Sequence, residues 1–109
     1  SKGNFQGADL TDADLSNANL KEANLSRTNL ENAYMSRANL TKAILSSAKC
    51  KNTSLTFATL NSCDLRNANL TSASLHGADL TKADLTSAIT RGANFKSARL
   101  IGTKGYKSS

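Results

Sequence analysis

Apolar residues return along this chain at a strict interval of five. All fifteen leucines lie at positions divisible by five, from Leu10 to Leu100. All sixteen alanines lie two residues before such a position, from Ala8 to Ala98. The pattern continues over twenty consecutive units without an insertion or a deletion. This regularity indicates one structural unit repeated along the whole chain.

A period of five excludes a uniform helix and a uniform strand. On an α-helix, five residues turn the chain through about 500°, so successive leucines would spread around the whole surface. In a uniform strand, an odd period would place successive leucines on opposite faces. A short extended piece followed by a bend fits, because alanine and leucine two residues apart then point to one side. Repeated bends of this kind predict a solenoid with coils stacked about 4.8 Å apart.

The units ADLTD, ANLKE, ANLSR and ANLTK resemble the pentapeptide-repeat family, whose motif is roughly A-(D/N)-L-x-x. The Asp/Asn position matches in 12 of 20 units, and the resemblance covers residues 3–103. It implies an all-β fold, a right-handed quadrilateral β-helix with four pentapeptides to a coil and about five coils. We therefore predict a β-helix over residues 3–103, followed by a short basic C-terminal tail over residues 104–109.

The middle of the chain departs from the motif. Within residues 41–63, the Asp/Asn position is taken by Ile44, Lys49, Ser54 and Thr59. The five-residue register survives there, so we expect the coil to continue with altered turns or an altered surface.

Composition and charge narrow the possible partners. The 109 residues form one domain at most, with 39% hydrophobic and 20% charged residues, no Trp and no Pro. Because the apolar content is nearly all Ala and Leu, the core is predicted to be thin and repetitive. The net charge is +6, and residues 36–62 carry four basic and no acidic groups. Sorted by predicted face, these charges form no continuous basic stripe.

Nucleic acid is an unfavoured partner. Family members that protect DNA gyrase resemble duplex DNA through strongly acidic rods, whereas a chain of net charge +6 cannot imitate a duplex with one negative charge per ~1.7 Å. Direct nucleic-acid binding lacks an aromatic stacking row and a continuous charged groove.

Groups suited to catalysis or metal binding are sparse. His76 is the single histidine, and the two cysteines, Cys50 and Cys63, fall in inward columns thirteen residues apart. This placement favours two small core residues over a disulfide or a zinc site. Five aspartates occupy the motif column and are expected to be solvated turn residues with untuned carboxylates: Asp9, Asp14, Asp64, Asp79 and Asp84. We predict no catalytic residue, metal or cofactor, and therefore a protein that is not an enzyme.

Apolar residues in outward positions indicate a binding surface more clearly than any residue indicates catalysis. Tyr34 and Phe57 fall on the same predicted face one coil apart, with Arg37 beneath Phe57 and His76 above it. Tyr and Arg are common interface anchors, and an exposed apolar patch can mark a binding site. Single exposed hydrophobic residues are also normal on protein surfaces, so both interpretations stay open.

The favoured function is a non-catalytic structural or protein-binding scaffold whose partner is unknown. The alternative is a rod that self-associates end to end, because the ends of a solenoid present unpaired backbone edges. The C-terminal sequence IGTKGYKSS is too short and too glycine-rich for the dimerising helix of the family's resistance proteins. The chain is thus predicted to be a monomer or an end-to-end assembly.

Location is not fixed by the sequence. It contains no apolar run of the ~20 residues needed to cross a bilayer. The resemblance is compatible with bacterial cytoplasm or with a cyanobacterial or chloroplast thylakoid lumen. The absence of an initiating Met is consistent with a trimmed targeting segment.

Overall fold

The computed structural model describes residues 3–106 as a rod of 32 × 23 × 23 Å. Within this range it contains no helix, and single residues pair in parallel across neighbouring coils. Seventeen such pairs run from Asn4 with Asn24 to Asp84 with Lys104, each joining residues twenty apart. Four pentapeptides therefore make one square coil, and the predicted right-handed quadrilateral β-helix is confirmed.

Backbone hydrogen bonds along the rod axis hold the coils together. In the coil of Leu55, the amide of Leu55 donates to the carbonyl of Ser74 at 2.7 Å, and the amide of Ser54 donates to Ala33 at 3.0 Å. The amide of Ala58 closes the corner by donating to Leu55 at 3.0 Å. Equivalent bonds recur in successive units, so each coil between the two end coils is paired on both sides. Buried backbone groups are satisfied in this way without any long strand.

The Asp/Asn side chains accept a hydrogen bond from an amide that has no backbone partner. This amide belongs to the first corner residue of the unit, directly after the leucine column. The amide of Thr71, for example, donates to Oδ1 of Asn69 at 3.0 Å. The same side-chain bond forms in all twelve units that carry Asp or Asn. The motif residue is thus an Asx-turn acceptor that stabilises the corner.

The Ala and Leu columns line the interior, as predicted. From Ala23 to Leu85 every inward side chain is at most 1% exposed. Thr28 occupies an alanine position in this stretch, and its hydroxyl donates to the carbonyl of Leu25 at 2.8 Å. A buried hydroxyl is tolerated there because it has a hydrogen-bond partner.

Cys50 and Cys63 are buried and free, in agreement with the prediction of two core residues. Burial raises the pKa of the Cys50 thiol to about 12 and raises that of Cys63 well above its ordinary value. Both thiols are therefore protonated at neutral pH and poorly reactive.

The second corner residue of every unit lies in the left-handed region of backbone conformation. Its φ is between 57° and 71° in all twenty units, and in sixteen of them the residue is not glycine. This column contains no Val, Ile or Thr, whereas the first corner column contains six Thr. β-Branched side chains are excluded because they clash most strongly with the backbone at positive φ.

The predicted boundary between the β-helix and a tail at residue 104 stays a prediction. Lys104 pairs with Asp84 in the ladder, and the ring of Tyr106 contacts that of Phe95 edge-on, with centroids 5.1 Å apart. Residues 107–109 of the predicted tail lie outside the described residues.

The corner geometry can be tested with two adjacent serines in one turn. We expect Ser47→Thr to destabilise the protein by about 1 kcal/mol or more, because φ is 58° at this position. Ser46→Thr is the matched control, since threonine is common in the first corner column, and its effect should be close to zero. The measurement is the denaturant midpoint followed by far-UV circular dichroism. Equal losses in the two variants would contradict the assigned corner conformation.

Candidate protein-interaction surface

One side of the rod carries Tyr34 and Phe57, the most exposed aromatic residues within residues 3–106. We call it side 3; its bridging residues are 14, 34, 54, 74 and 94. The corner that follows it, corner 3, contains residues 16–17, 36–37, 56–57, 76–77 and 96–97.

Three residues of corner 3 contact one another in a column along the rod axis. The guanidinium carbon of Arg37 lies 5.2 Å from the ring centroid of Phe57. The Phe57 and His76 rings meet edge to face, with centroids 5.4 Å apart and an interplanar angle of 78°. Arg37, Phe57 and His76 therefore form a continuous cation–aromatic stack, here called the corner cluster. Its role in binding a partner stays a prediction.

Phe57 occupies a conformation that is unfavourable for an aromatic residue. Its φ is 58°, in the left-handed region, and its side chain remains 48% exposed. A left-handed backbone costs a non-glycine residue about 1–2 kcal/mol. Fifteen other non-glycine residues share this conformation, so the feature that distinguishes Phe57 is a large apolar ring left half-exposed at a corner.

Gly77 makes room for the Phe57 ring, a contact that was not recognised from the sequence. A Cβ on Gly77 would lie 2.4 Å from Cε1 of Phe57. The ring is thus positioned by Arg37 on one side and by the bare backbone of Gly77 on the other. The available signal was a glycine placed twenty residues after the aromatic residue, in the same corner column.

Tyr34 lies on side 3 but outside this stack. Its side chain is 57% exposed, and within residues 3–106 its ring pairs with no other aromatic ring. Of the four predicted surface residues, the structure joins three directly and places Tyr34 beside them on the same side of the rod.

A row of hydroxyl groups crosses the centre of side 3. The hydroxyl of Ser54 lies 3.1 Å from that of Ser36 and 3.4 Å from that of Thr56, which in turn lies 3.0 Å from that of Ser74. Ser54 and Ser74 stand where the motif has Asp or Asn. The centre of side 3 therefore has no carboxylate, and its hydroxyls can both donate and accept hydrogen bonds.

The expectation of untuned carboxylates is wrong. Five side chains have pKa values lowered below the ordinary range: Asp9, Asp14, Asp64, Asp79 and Asp84. For Asp9 the main cause is a hydrogen bond from the Thr11 hydroxyl, and for Asp64 it is one from the Arg66 side chain. A lowered pKa keeps these carboxylates ionised at neutral pH, where they cannot donate a proton as a general acid.

No group of three or more His, Cys, Asp or Glu side chains within residues 3–106 is arranged to hold a metal ion. The same residues include no helix of the length and apolar character required to span a bilayer.

Taken together, the square coil, the five-residue unit and the filled interior define a β-solenoid built from pentapeptides. A model of the family described as "Pentapeptide repeats" matches residues 18–49, 48–86 and 78–104, with 8 copies. These ranges cover most of the chain. The protein belongs to the pentapeptide repeat family.

Solved structures of other family members share this architecture. A pentapeptide repeat protein from the Arabidopsis thaliana thylakoid lumen is 29% identical, with a TM-score of 0.73, over 91% of this chain and 66% of its own. Rfr23 from the cyanobacterium Cyanothece 51142 is 29% identical, with a TM-score of 0.70, over 94% of this chain and 83% of its own. HetL from Nostoc sp. strain PCC 7120 is 28% identical, with a TM-score of 0.68.

The match to HetL covers 96% of this chain but 52% of HetL, so the chain spans about half the length of that relative. A search of curated proteins finds no match.

Two glycines allow the positioning of Phe57 to be tested. Gly77→Ala and Gly7→Ala should each cost about 1 kcal/mol, because φ is +67° and +71° at these positions. Gly77→Ala should also displace the Phe57 ring and shift the ring proton resonances of His76 in NMR spectra. Gly7→Ala is the control, since a Cβ there has nothing within 4 Å. Unchanged His76 resonances in Gly77→Ala would show that Phe57 does not rest on Gly77.

Proposed function

We propose that the protein is a non-catalytic scaffold that binds a protein partner through side 3, with Tyr34, Arg37, Phe57 and His76 as the contact residues. The observation that carries this proposal is the state of Phe57. An aromatic ring is held half-exposed at a φ of 58°, between a guanidinium and an imidazole. The exposed half of this ring adds nothing to the stability of the isolated rod, whereas a partner that covers it gains the burial of that apolar surface.

The filled interior supports a role exerted from the outside. Inward side chains from Ala23 to Leu85 are at most 1% exposed, so the rod interior cannot admit a substrate. What the fold presents instead is a set of flat sides bounded by corners. Contact along such a side suits recognition of another macromolecule better than the enclosed pocket typical of small-molecule sites.

The charge disfavours imitation of DNA, and one solved relative has a role in regulation. With 14 basic and 8 acidic residues, the chain does not provide the dense negative charge that imitation of DNA requires. HetL is described as involved in the regulation of heterocyst differentiation. A scaffold can regulate by contact alone, without catalysis, and such a regulatory role is part of the proposal for the present chain.

The proposal can be tested by moving the aromatic residue to another corner, because the double variant then has the same composition as the wild type. Ser47, like Phe57, is the second residue of its corner, in the same coil and at an identical φ of 58°. Its corner lies diagonally across the rod from that of Phe57. The wild-type protein, Phe57→Ser, Ser47→Phe and the double variant would each be used as bait for partners from cell extract. Unfolding midpoints would confirm that each bait is folded.

Phe57→Ser should reduce recovery of the specifically bound protein at least tenfold, as expected for the loss of an interface hot spot of about 1.4 kcal/mol or more. Ser47→Phe should retain the partner, and the double variant should lose it. Equal recovery by the wild type and Phe57→Ser would rule out the corner cluster as the binding surface.

A further inference from the structure

Side 3 shows a change of charge along the rod when both of its corners are counted. The corner that precedes side 3, corner 2, contains residues 11–12, 31–32, 51–52, 71–72 and 91–92. In the first coil, residues 11–17 carry Asp12 and Asp14 and no basic group, giving −2. In the fifth coil, residues 91–97 carry Arg91 and Lys96 and no acidic group, giving +2. The two ends of this one surface therefore have opposite charge.

The intermediate coils complete the gradient. Residues 31–37 carry Glu31 and Arg37 and are neutral, residues 51–57 carry Lys51 alone, and residues 71–77 carry His76 and no other titratable side chain. Asp12, Lys51 and Arg91 lie on corner 2 and contribute to this gradient because that corner borders side 3. The structure shows that each corner borders two sides, because its two residues join consecutive bridging residues.

We infer that the partner bound by side 3 is a second copy of this chain, packed side against side in the antiparallel direction. This inference rests on the proposed function, and it names the partner of the same surface. Antiparallel packing places the −2 end of each copy opposite the +2 end of the other. One contact of this kind satisfies both charged ends at once.

A two-fold axis parallel to the short edge of side 3 fixes which groups meet. It keeps corner 2 opposite corner 2, so Asp12 of one copy faces Arg91 of the other, while Asp14 faces the Arg91–Lys96 end. The third of the five coils lies on the axis and carries Phe57, which therefore faces its own equivalent. Phe57 then lies midway along the rod, at the corner 3 edge of the contact, and the charged pairs lie towards its two ends. Aromatic anchors combined with polar groups at the rim are common in protein interfaces. Such a contact is isologous and closes as a dimer.

The size of side 3 is sufficient for this contact. The rod measures 32 Å by 23 Å in the plane of a side. A contact over most of this face removes roughly 1,400 Å² from solvent on both copies together, within the 1,200–2,000 Å² usual for specific complexes. A flat side also needs no rearrangement to meet its own copy.

One interaction opposes the dimer: Lys51 approaches its own equivalent near the axis. Glu31 lies one coil below Lys51 on the same corner, close enough to share this charge across the contact. The hydroxyls of the row on side 3 also face the contact, and they can pair with one another in either direction.

Other partners fit the charge pattern less well. A separate acidic protein lying along side 3 would meet Asp12 and Asp14 at one end, with like charges opposed. A nucleic acid would meet the same two carboxylates with its phosphates. A second copy in the antiparallel direction is the occupant that offers positive charge at one end and negative charge at the other.

Paired charge reversals test the inference. One variant is Asp12→Lys with Asp14→Lys, and the other is Arg91→Glu with Lys96→Glu; all four positions are exposed. Lysine and glutamate already occur in the corresponding columns at Lys42, Lys49 and Glu31, so both variants are expected to fold. The control is Lys42→Glu with Lys82→Glu, on a corner that does not border side 3. Sedimentation velocity over a concentration series would give the mass of each protein.

The wild type and the control variant should form a species of twice the 11.5 kDa mass of one chain. Each reversed variant alone should dissociate, with a dissociation constant at least tenfold higher. An equal mixture of the two reversed variants should restore the dimer, because every end of one then meets an opposite end of the other.

A wild type that stays monomeric at all concentrations, or a mixture of reversed variants that stays monomeric, would overturn the inference. If Phe57→Ser nevertheless loses a captured partner in the swap experiment, the proposed binding surface stands and its occupant is a different protein. Retention of the monomeric wild type on an oligonucleotide, lost with Arg91→Glu and Lys96→Glu, would identify the occupant as nucleic acid and equally overturn the dimer.

Discussion

The structure depends on one constraint, the pairing of each coil with the next through backbone hydrogen bonds at a separation of twenty residues. This register places leucine over leucine and alanine over alanine along the axis. Most of the buried interior is filled by these two residue types; Met35, Cys50 and Cys63 also fit, and Thr28 is accommodated by donating a hydrogen bond to a carbonyl. The five-residue period in the sequence therefore reflects the backbone hydrogen bonding between coils.

The corners contain the unfavourable backbone conformations that this pairing requires. Each unit needs one residue in the left-handed conformation, and sixteen of the twenty are not glycine. In twelve units, an Asp or Asn side chain accepts a hydrogen bond from the amide of the first corner residue. The backbone hydrogen bonds between coils also hold the corners in place. Where the motif is absent, as at Tyr34, Ser54 and Ser74, the side has lost its Asx acceptors and gained an exposed ring and a row of hydroxyls. The same departures that weaken the repeat locally create the most distinctive surface of the protein.

Much of this could be predicted from the sequence. The inward columns followed from the period of five, and the stacking of Arg37, Phe57 and His76 followed once the family resemblance supplied a coil of twenty. The positive φ of the second corner residue was missed because its composition resembles that of any turn; the absence of β-branched residues from that column was the available signal. The contact between Phe57 and Gly77, the lowered pKa values of the aspartates and the charge gradient of side 3 depend on side-chain direction and shared corners. A periodic pattern alone does not specify either.

The central claim, pairing at a register of twenty residues, can be measured directly by NMR as scalar coupling across individual backbone hydrogen bonds. In a uniformly labelled protein, the amide nitrogen of Leu55 should couple to the carbonyl carbon of Ser74, since the structure joins these groups at 2.7 Å. Couplings of leucine-column amides to carbonyls nineteen residues further along, repeated from unit to unit, would support the whole account. If the leucine-column amides coupled instead to carbonyls four residues earlier, as in a helix, or at any other separation, the claim would be contradicted.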